Sequence, residues 1–284
     1  MKPDRSRVVL CLVALYLIWG STFLCIRVAL QTFPPLLMAG LRFVSAGAIL
    51  FAILKARGYA TPTPREWRSS LLVGTLLVCA NGCVAVAEQW VSSGVAAVAI
   101  ASVPLWAALF AGLWGRWPTS KEWVGLGVGL AGVAFLQAGG ELQASHAGAL
   151  VLTLSTVSWA LGSIWSRRLP LPRGLMASAS QMLAGGVVLL GFSLLRGDRL
   201  GTVTPHALEA FAYLIVFGSI VGYSAYNYLL GHVRPALATS YAYVNPVVAV
   251  GLGAGLAHET LAPSALGALA LILGGVALVA LQRN

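Results

Sequence analysis

Tyr223, Tyr226 and Asn227 recur at i, i+3 and i+4 within an apolar stretch of the chain. On a helix that spacing gathers two phenol rings and an amide on one face, able to stack on and hydrogen-bond a planar or amphipathic solute. The same groups can equally bond one helix to its neighbours. Tyr241 and Asn245 lie four residues apart. Pro246 removes a backbone donor just beyond them, which frees the carbonyl of residue 242 for a ligand, for water, or for a packing kink. Trp19 and Trp159 offer further ring surfaces for stacking or packing, and Asn81 and Glu88, seven residues apart, share a third helical face. All of this is recognition chemistry.

Reaction chemistry is not evident. His146, His206, His232 and His258 stand singly without an HExxH or similar ligand set, so no metal site is expected. No glycine-rich phosphate loop precedes a lysine, and no nucleophile with its base or paired aspartates occurs within an apolar stretch. The expectation is no catalytic residue, no cofactor and no enzyme. Cys11, Cys25, Cys79 and Cys83 sit in apolar runs and read as small fillers rather than disulfides.

The elements that must position these side chains follow from composition. The 284 residues are 58% hydrophobic and only 9% charged, against roughly 25% charged in a chain that folds in water. Such a chain is solvated by lipid. A bilayer core needs about 20 apolar residues per helix, and ten runs of that size are found near 8–28, 34–54, 67–88, 93–115, 121–139, 147–166, 175–195, 206–230, 236–257 and 262–281. Stretches such as Val247 to Leu256 lack the alternation of a membrane β-strand, so the expected fold is all-α and integral to the membrane. The first run is too long for a signal peptide and is read as retained. The longest gap, Lys55 to Glu66, holds two prolines and is a surface loop. Function is therefore expected between the helices.

The formal net charge of +10 would suggest nucleic acid in a soluble protein, but here the basic residues occupy short breaks between apolar runs, so no nucleic-acid partner is expected. All but Arg27, Arg42, Arg196 and Arg199 fall at the termini or in even-numbered connections, which puts both termini in the cytoplasm by the positive-inside rule. Arg27 and Arg167 read as anchors at span ends. Arg42, eight residues into the second run, is too deep for that and needs a counter-charge or an anionic ligand. Glu88 is within snorkelling reach. An Arg42 to Glu88 ion pair is favoured over an anion site, because the equivalent position in the seventh run is neutral Gln181. Glu88 is also the candidate for any proton coupling.

The halves repeat. Trp19 to Arg27 and Trp159 to Arg167 are both framed by tryptophan and arginine, and Pro104, Gly125 and Gly132 match Pro246, Gly267 and Gly274 at nearly the same offset. Residues 1–140 and 141–284 are read as two five-helix repeats. Five is odd, so the second copy enters the membrane from the opposite side. Such inverted repeats recur in secondary transporters and in some channels. Gly125 with Gly129, and Gly251 with Gly255, fit small-xxx-small helix packing, compatible with a monomer or a homodimer.

Trp19–Phe23 (WGSTF) with Arg27, Leu41–Gly47 (LRFVSAG), Ala236–Val250 (ALATSYAYVNPVVAV) and His258–Leu261 (HETL) together resemble the EamA family of the drug/metabolite transporter superfamily over essentially the whole chain. The resemblance implies ten helices in a 5+5 inverted repeat, a central cavity lined mainly by helices 1, 3, 4, 6, 8 and 9, and export or exchange of small organic solutes, often metabolites or amino acids, across a bacterial inner membrane. Family members often carry an acid after the fourth helix matching Glu259, where this chain has Trp117. The expected partners are the lipid bilayer and a small-molecule substrate, with cavity lining by Trp19, Asn81, Trp159, Tyr223, Tyr226, Asn227, Tyr241 and Asn245. A passive channel is the second reading and an intramembrane enzyme the third. The scarcity of polar residues per helix argues against an open pore.

Overall fold

The computed structural model describes residues 4–87, 89–90, 96, 99–137, 146–248 and 263–280. Glu88, Glu259, Gly251 and Gly255 lie outside these residues. Among the described residues every regular element is helical. The first half contributes α1 (Arg5–Ala29), α2 (Pro35–Ala56), α3 (Pro64–Ala87), α4 (Val103–Leu113) and α5 (Ser120–Gln137). The second contributes α6 (His146–Trp165), α7 (Leu175–Arg196), α8 (Pro205–His232), α9 (Pro235–Ala238, helical again over 241–248) and α10 (Pro263–Ala280). Six of these, α1, α2, α3, α6, α7 and α8, are long and apolar enough to cross a membrane, while shorter apolar helices, Ala99–Leu113 and Ala270–Val279, take in α4 and most of α10.

Local signals set the boundaries. Proline occupies the first turn of α2, α4, α8 and α9, where its missing N–H would have had no partner in any case. Asp4 and Thr204 cap α1 and α8 by accepting from the Ser6 and Ala207 N–H groups. Thr63 with Glu66 and Thr119 with Glu122 form reciprocal capping boxes at the starts of α3 and α5. α7 ends where Gly197 turns left-handed at φ 72°.

Lipid gives no hydrophobic drive between helices, so close packing of small residues must hold the bundle together. Gly40 and Gly47 of α2 meet Leu190 and Leu183 of α7 in antiparallel order, and Gly82 of α3 meets Leu189. At the tightest crossing Gly74 of α3 and Gly185 of α7 leave no space for a methyl group; a Cβ on either would strike the opposite backbone. Gly125 and Gly129 of α5 meet Gly275 of α10, and Gly132 meets Leu271 and Ile272, again antiparallel. The Gly125 and Gly129 pair thus packs helices within the chain. Both antiparallel pairs, α2 with α7 and α5 with α10, join elements that the sequence offset equates. Two further antiparallel pairs carry the site: α3 with α6, through Ser155 and Ser158 hydroxyls on the Ala80 and Leu76 carbonyls, and α1 with α8, through Ser21 and Tyr213. Large apolar side chains such as Leu10, Leu194 and Leu195 stand exposed around the outside, an arrangement that suits hydrocarbon and not water.

Candidate functional site

α8 changes its winding where it passes α1 and α2. Leu214–Val221 is a π-helix between two α-helical stretches, and the wider turn presents backbone and side-chain groups sideways. The Gly218 carbonyl accepts from the Trp19 indole Nε1 at 2.9 Å. The Ser219 hydroxyl accepts from the Arg42 Nε at 2.7 Å. Gly222 completes the fit, since a Cβ there would collide with the Trp19 ring nitrogen. Arg42 is buried, lies over the Phe43 ring at 4.9 Å and touches the Gly218 and Thr22 region. Its expected partner Glu88 lies outside the described residues.

Beside this junction is a cavity of about 100 Å³. α1 supplies Trp19, Thr22 and Ile26; α2 supplies Arg42 and Phe43; α3 supplies Asn81, Val84 and Ala85. Ser155, Thr156 and Trp159 of α6 face them, and Ile100, Val103 of α4, Gly218 and Tyr223 of α8, and Tyr241 with Asn245 of α9 complete the wall. Trp19 is about 21 Å along α1 from Arg5 at 1.5 Å per residue. From there the cavity follows α1 to Ile26, toward the Ala29 end.

Seven residues singled out from the sequence, Trp19, Arg42, Asn81, Trp159, Tyr223, Tyr241 and Asn245, therefore meet at one cavity. Trp19 is its hub, with Trp159 at 5.5 Å between ring centroids, Tyr226 at 5.4 Å and Tyr241 edge-on at 4.7 Å. Tyr226 and Asn227 are placed differently. Tyr226 is fully buried behind the lining rings, its hydroxyl accepting from Trp159 Nε1 at 3.0 Å and bonded to Ser163 Oγ at 2.5 Å. Asn227 donates to Ser178 and to Gln181 of α7, and the Tyr223 hydroxyl donates to the same Gln181 oxygen. These two side chains tie α8 to α6 and α7 and do not line the cavity.

On the Arg5 side the lining rings of Trp19, Trp159 and Tyr241 are backed by the Tyr226 layer. Tyr16 of α1 bonds Ser240 of α9 at 2.6 Å at the same end of the bundle. Further out, Arg167 donates to the Val233 carbonyl at 2.9 Å and Arg234 pairs with Glu122 at 2.9 Å. Sequence reasoning passed over the lining hydroxyls Thr22, Ser155 and Thr156. Thr22 and Thr156 also bond carbonyls one turn back on their own helices, a habit of serine and threonine throughout apolar helices that carries no signal of function. Glu122 was legible as the fourth residue of a T-x-x-E capping box, but its buried pairing with Arg234 was not.

One polar atom in the wall stands apart. Asn245 is buried, yet its Oδ1 has no hydrogen-bond partner among the described residues. An unsatisfied buried acceptor of this kind costs about 1–3 kcal/mol, a cost that a ligand donor would offset. No group of three or more histidine, cysteine or acidic side chains that could hold a metal occurs among the described residues. The arrangement suits binding of an aromatic or hydrogen-bonding solute.

The chain is similar to known membrane transporters. The sequence pattern of the EamA-like transporter family matches residues 6–137 and again 146–281. The uncharacterized inner membrane transporter YedA of Escherichia coli K12 is 48% identical over 276 residues, covering 96% of this chain and 90% of that protein. The uncharacterized transporter YvbV of Bacillus subtilis is 26% identical and covers 97% of this chain and 92% of its own length. A solved crystal structure superposes with a TM-score of 0.79 at 24% identity, over 97% of this chain and 98% of that one, which speaks to the fold alone. With the family's pattern present twice and a relative this similar over most of both chains, the chain belongs to the EamA-like transporter family.

Proposed function

We propose that the protein is a secondary transporter of the inner membrane that exports a small organic solute by alternating access. The reading takes residues 1–140 and 141–284 as inverted five-helix repeats forming ten spans, with both termini cytoplasmic. The two matches to one family pattern and the antiparallel packing of α2 on α7 and α5 on α10 support that plan. The observation that carries the function is the cavity at Trp19, with the bonded Trp159 and Tyr226 layer on its Arg5 side and the unpartnered Asn245 acceptor in its wall. A site backed by a bonded layer on one side and lined by groups from both halves suits exchange between two access states.

The substrate in this reading is a metabolite, amino acid or drug-like molecule. Its ring or apolar part packs on Trp19, Trp159 and Tyr241, and a donor reaches Asn245. About 100 Å³ is small beside the roughly 300–1,000 Å³ of ordinary ligand sites, so loading involves movement of the surrounding helices. Arg42 is assigned to hold the π-turn of α8 and to pair with Glu88. The test is efflux from proteoliposomes across a solute panel, with and without an imposed proton gradient. Concentrative flux lost in Asn245→Leu supports the reading. Flux that is only dissipative and insensitive to any gradient favours a passive channel.

A further inference from the structure

A second cavity, of about 450 Å³, lies on the Arg5 side beyond the Tyr226 layer. It sits among the end of α4, the turn into α5, the ends of α6 and α8 and the start of α9. Arg116, Arg167, Arg234, His232 and a single acid, Glu122, stand in its wall. The charges in that wall do not balance. Glu122 is almost wholly buried, accepts from the Thr119 N–H at 2.8 Å and pairs with Arg234 at 2.9 Å, so its charge is already matched.

Arg167 is left with neighbours of its own sign. It is half-buried and its Nη1 donates to the Val233 carbonyl. Burial, and then the guanidinium groups of Arg116 and Arg168, lower its pKa from the ordinary arginine value. Arg168 is turned away, its Nη2 donating to the Trp114 carbonyl at 2.8 Å and its guanidinium 5.7 Å from that residue's ring. Arg116 is exposed at the mouth. The positive-inside bias accounts for arginines on this side of the protein. It does not account for Arg116 and Arg167 sharing the wall of one recess in which, among the described residues, the only acid is already paired. Like charges brought together where water is partly excluded repel more strongly than in bulk solvent.

We propose that this recess binds an oxyanion, a phosphate or carboxylate group gripped by Arg116 and Arg167 while Glu122 holds Arg234 at its edge. Guanidinium forks match two oxygens of such a group at once. The anion turns the repulsion between the two arginines into attraction and links α4 to α6 across the mouth. Two sources share this chemistry: the headgroup of an anionic phospholipid, and a free anion from the aqueous side.

The experiment measures the thermal unfolding midpoint of the purified full-length protein in neutral detergent at fixed ionic strength. Sodium phosphate replaces sodium chloride in one arm, and phosphatidylglycerol is added in the other, with phosphatidylcholine as the neutral control. A ligand of the folded state raises the midpoint by mass action. We expect a rise of about 3 °C or more, in the range that binding worth about 1 kcal/mol produces in a chain of this size. A rise with phosphatidylglycerol alone assigns the site to lipid, and a rise with phosphate as well assigns it to a free anion. Arg116→Gln and Arg167→Gln should abolish it; Arg116→Gln changes an exposed side chain and keeps the test valid if Arg167→Gln fails to fold. No rise in the wild-type protein with either anion overturns the proposal, and so does an undiminished rise in Arg116→Gln.

Discussion

The indole of Trp19 donates to the carbonyl of Gly218 at 2.9 Å, joining the middle of α1 to the π-turn of α8. The same ring lines the cavity and touches three other aromatic side chains, so one residue both shapes the site and fastens a helix to it. Trp19→Phe keeps an aromatic face but leaves the carbonyl without its donor. The expected cost is about 1–3 kcal/mol, read as a lower midpoint in thermal unfolding, together with loss of most solute flux. Unchanged stability would mean that the carbonyl finds another partner.

Asn245 should separate stability from transport. Its Oδ1 is buried and has no partner among the described residues, so Asn245→Leu removes an unsatisfied group and is expected to leave the midpoint unchanged or raised. Transport should fall at least about tenfold, the loss of one hydrogen bond worth roughly 1.4 kcal/mol in the bound state. Side-by-side unfolding and proteoliposome flux measurements decide it. A fall in both quantities would make Asn245 a packing residue.

Tyr226→Phe tests the bonded layer on the Arg5 side of the cavity. The hydroxyl collects the Trp159 Nε1 and the Ser163 Oγ within a fully buried layer. Without it Trp159 has a buried donor to satisfy, at about 1–3 kcal/mol. The substitution should therefore raise gradient-independent leak of solute through the reconstituted protein. A leak equal to that of the wild type would place the seal elsewhere, with Tyr16 and Ser240 as the next pair to break.

Glycines give a paired prediction about folding. Gly185 has the Gly74 backbone against the position of a missing Cβ, whereas nothing lies within 4 Å of that position at Gly127. Gly185→Leu should abolish recovery of monodisperse protein, because α3 and α7 cannot separate without opening the core. Gly127→Ala should be neutral or stabilising by up to about 1 kcal/mol, the ordinary gain from replacing glycine in a helix interior. Gel filtration in detergent checks the first and thermal unfolding the second.

How far these features were legible varied with their physical origin. Helix positions follow from apolar run length, which depends on each segment alone, and each described helix overlaps one of the stretches read from the sequence, most of them running past it at one end or both. The i, i+3, i+4 spacing correctly put Tyr223, Tyr226 and Asn227 on one side of α8, but that side is broad. Tyr223 reaches the cavity while Tyr226 and Asn227 meet α6 and α7. Periodicity fixes a direction from the helix axis, and only the packed neighbours decide whether that direction ends in a void or a contact. The π-turn left no pattern at all, since Leu214–Val221 is uniformly apolar apart from Gly218 and Ser219. The groups that bond to it, Trp19 and Arg42, arrive from other helices.

That turn also bears on the length of α8. The helical run Pro205–His232 contains 28 residues, where about 20 suffice to cross hydrocarbon. Part of the surplus is stored in the wider π winding, which fits more residues into each turn than an α-helix does. α8 therefore carries slack in its middle. Deleting one residue between Leu214 and Val221 can be absorbed by rewinding toward α geometry, whereas the same deletion in α2 or α7 would put every glycine contact beyond it out of step. In this bundle, the tolerance for a change in chain length is greatest next to the cavity.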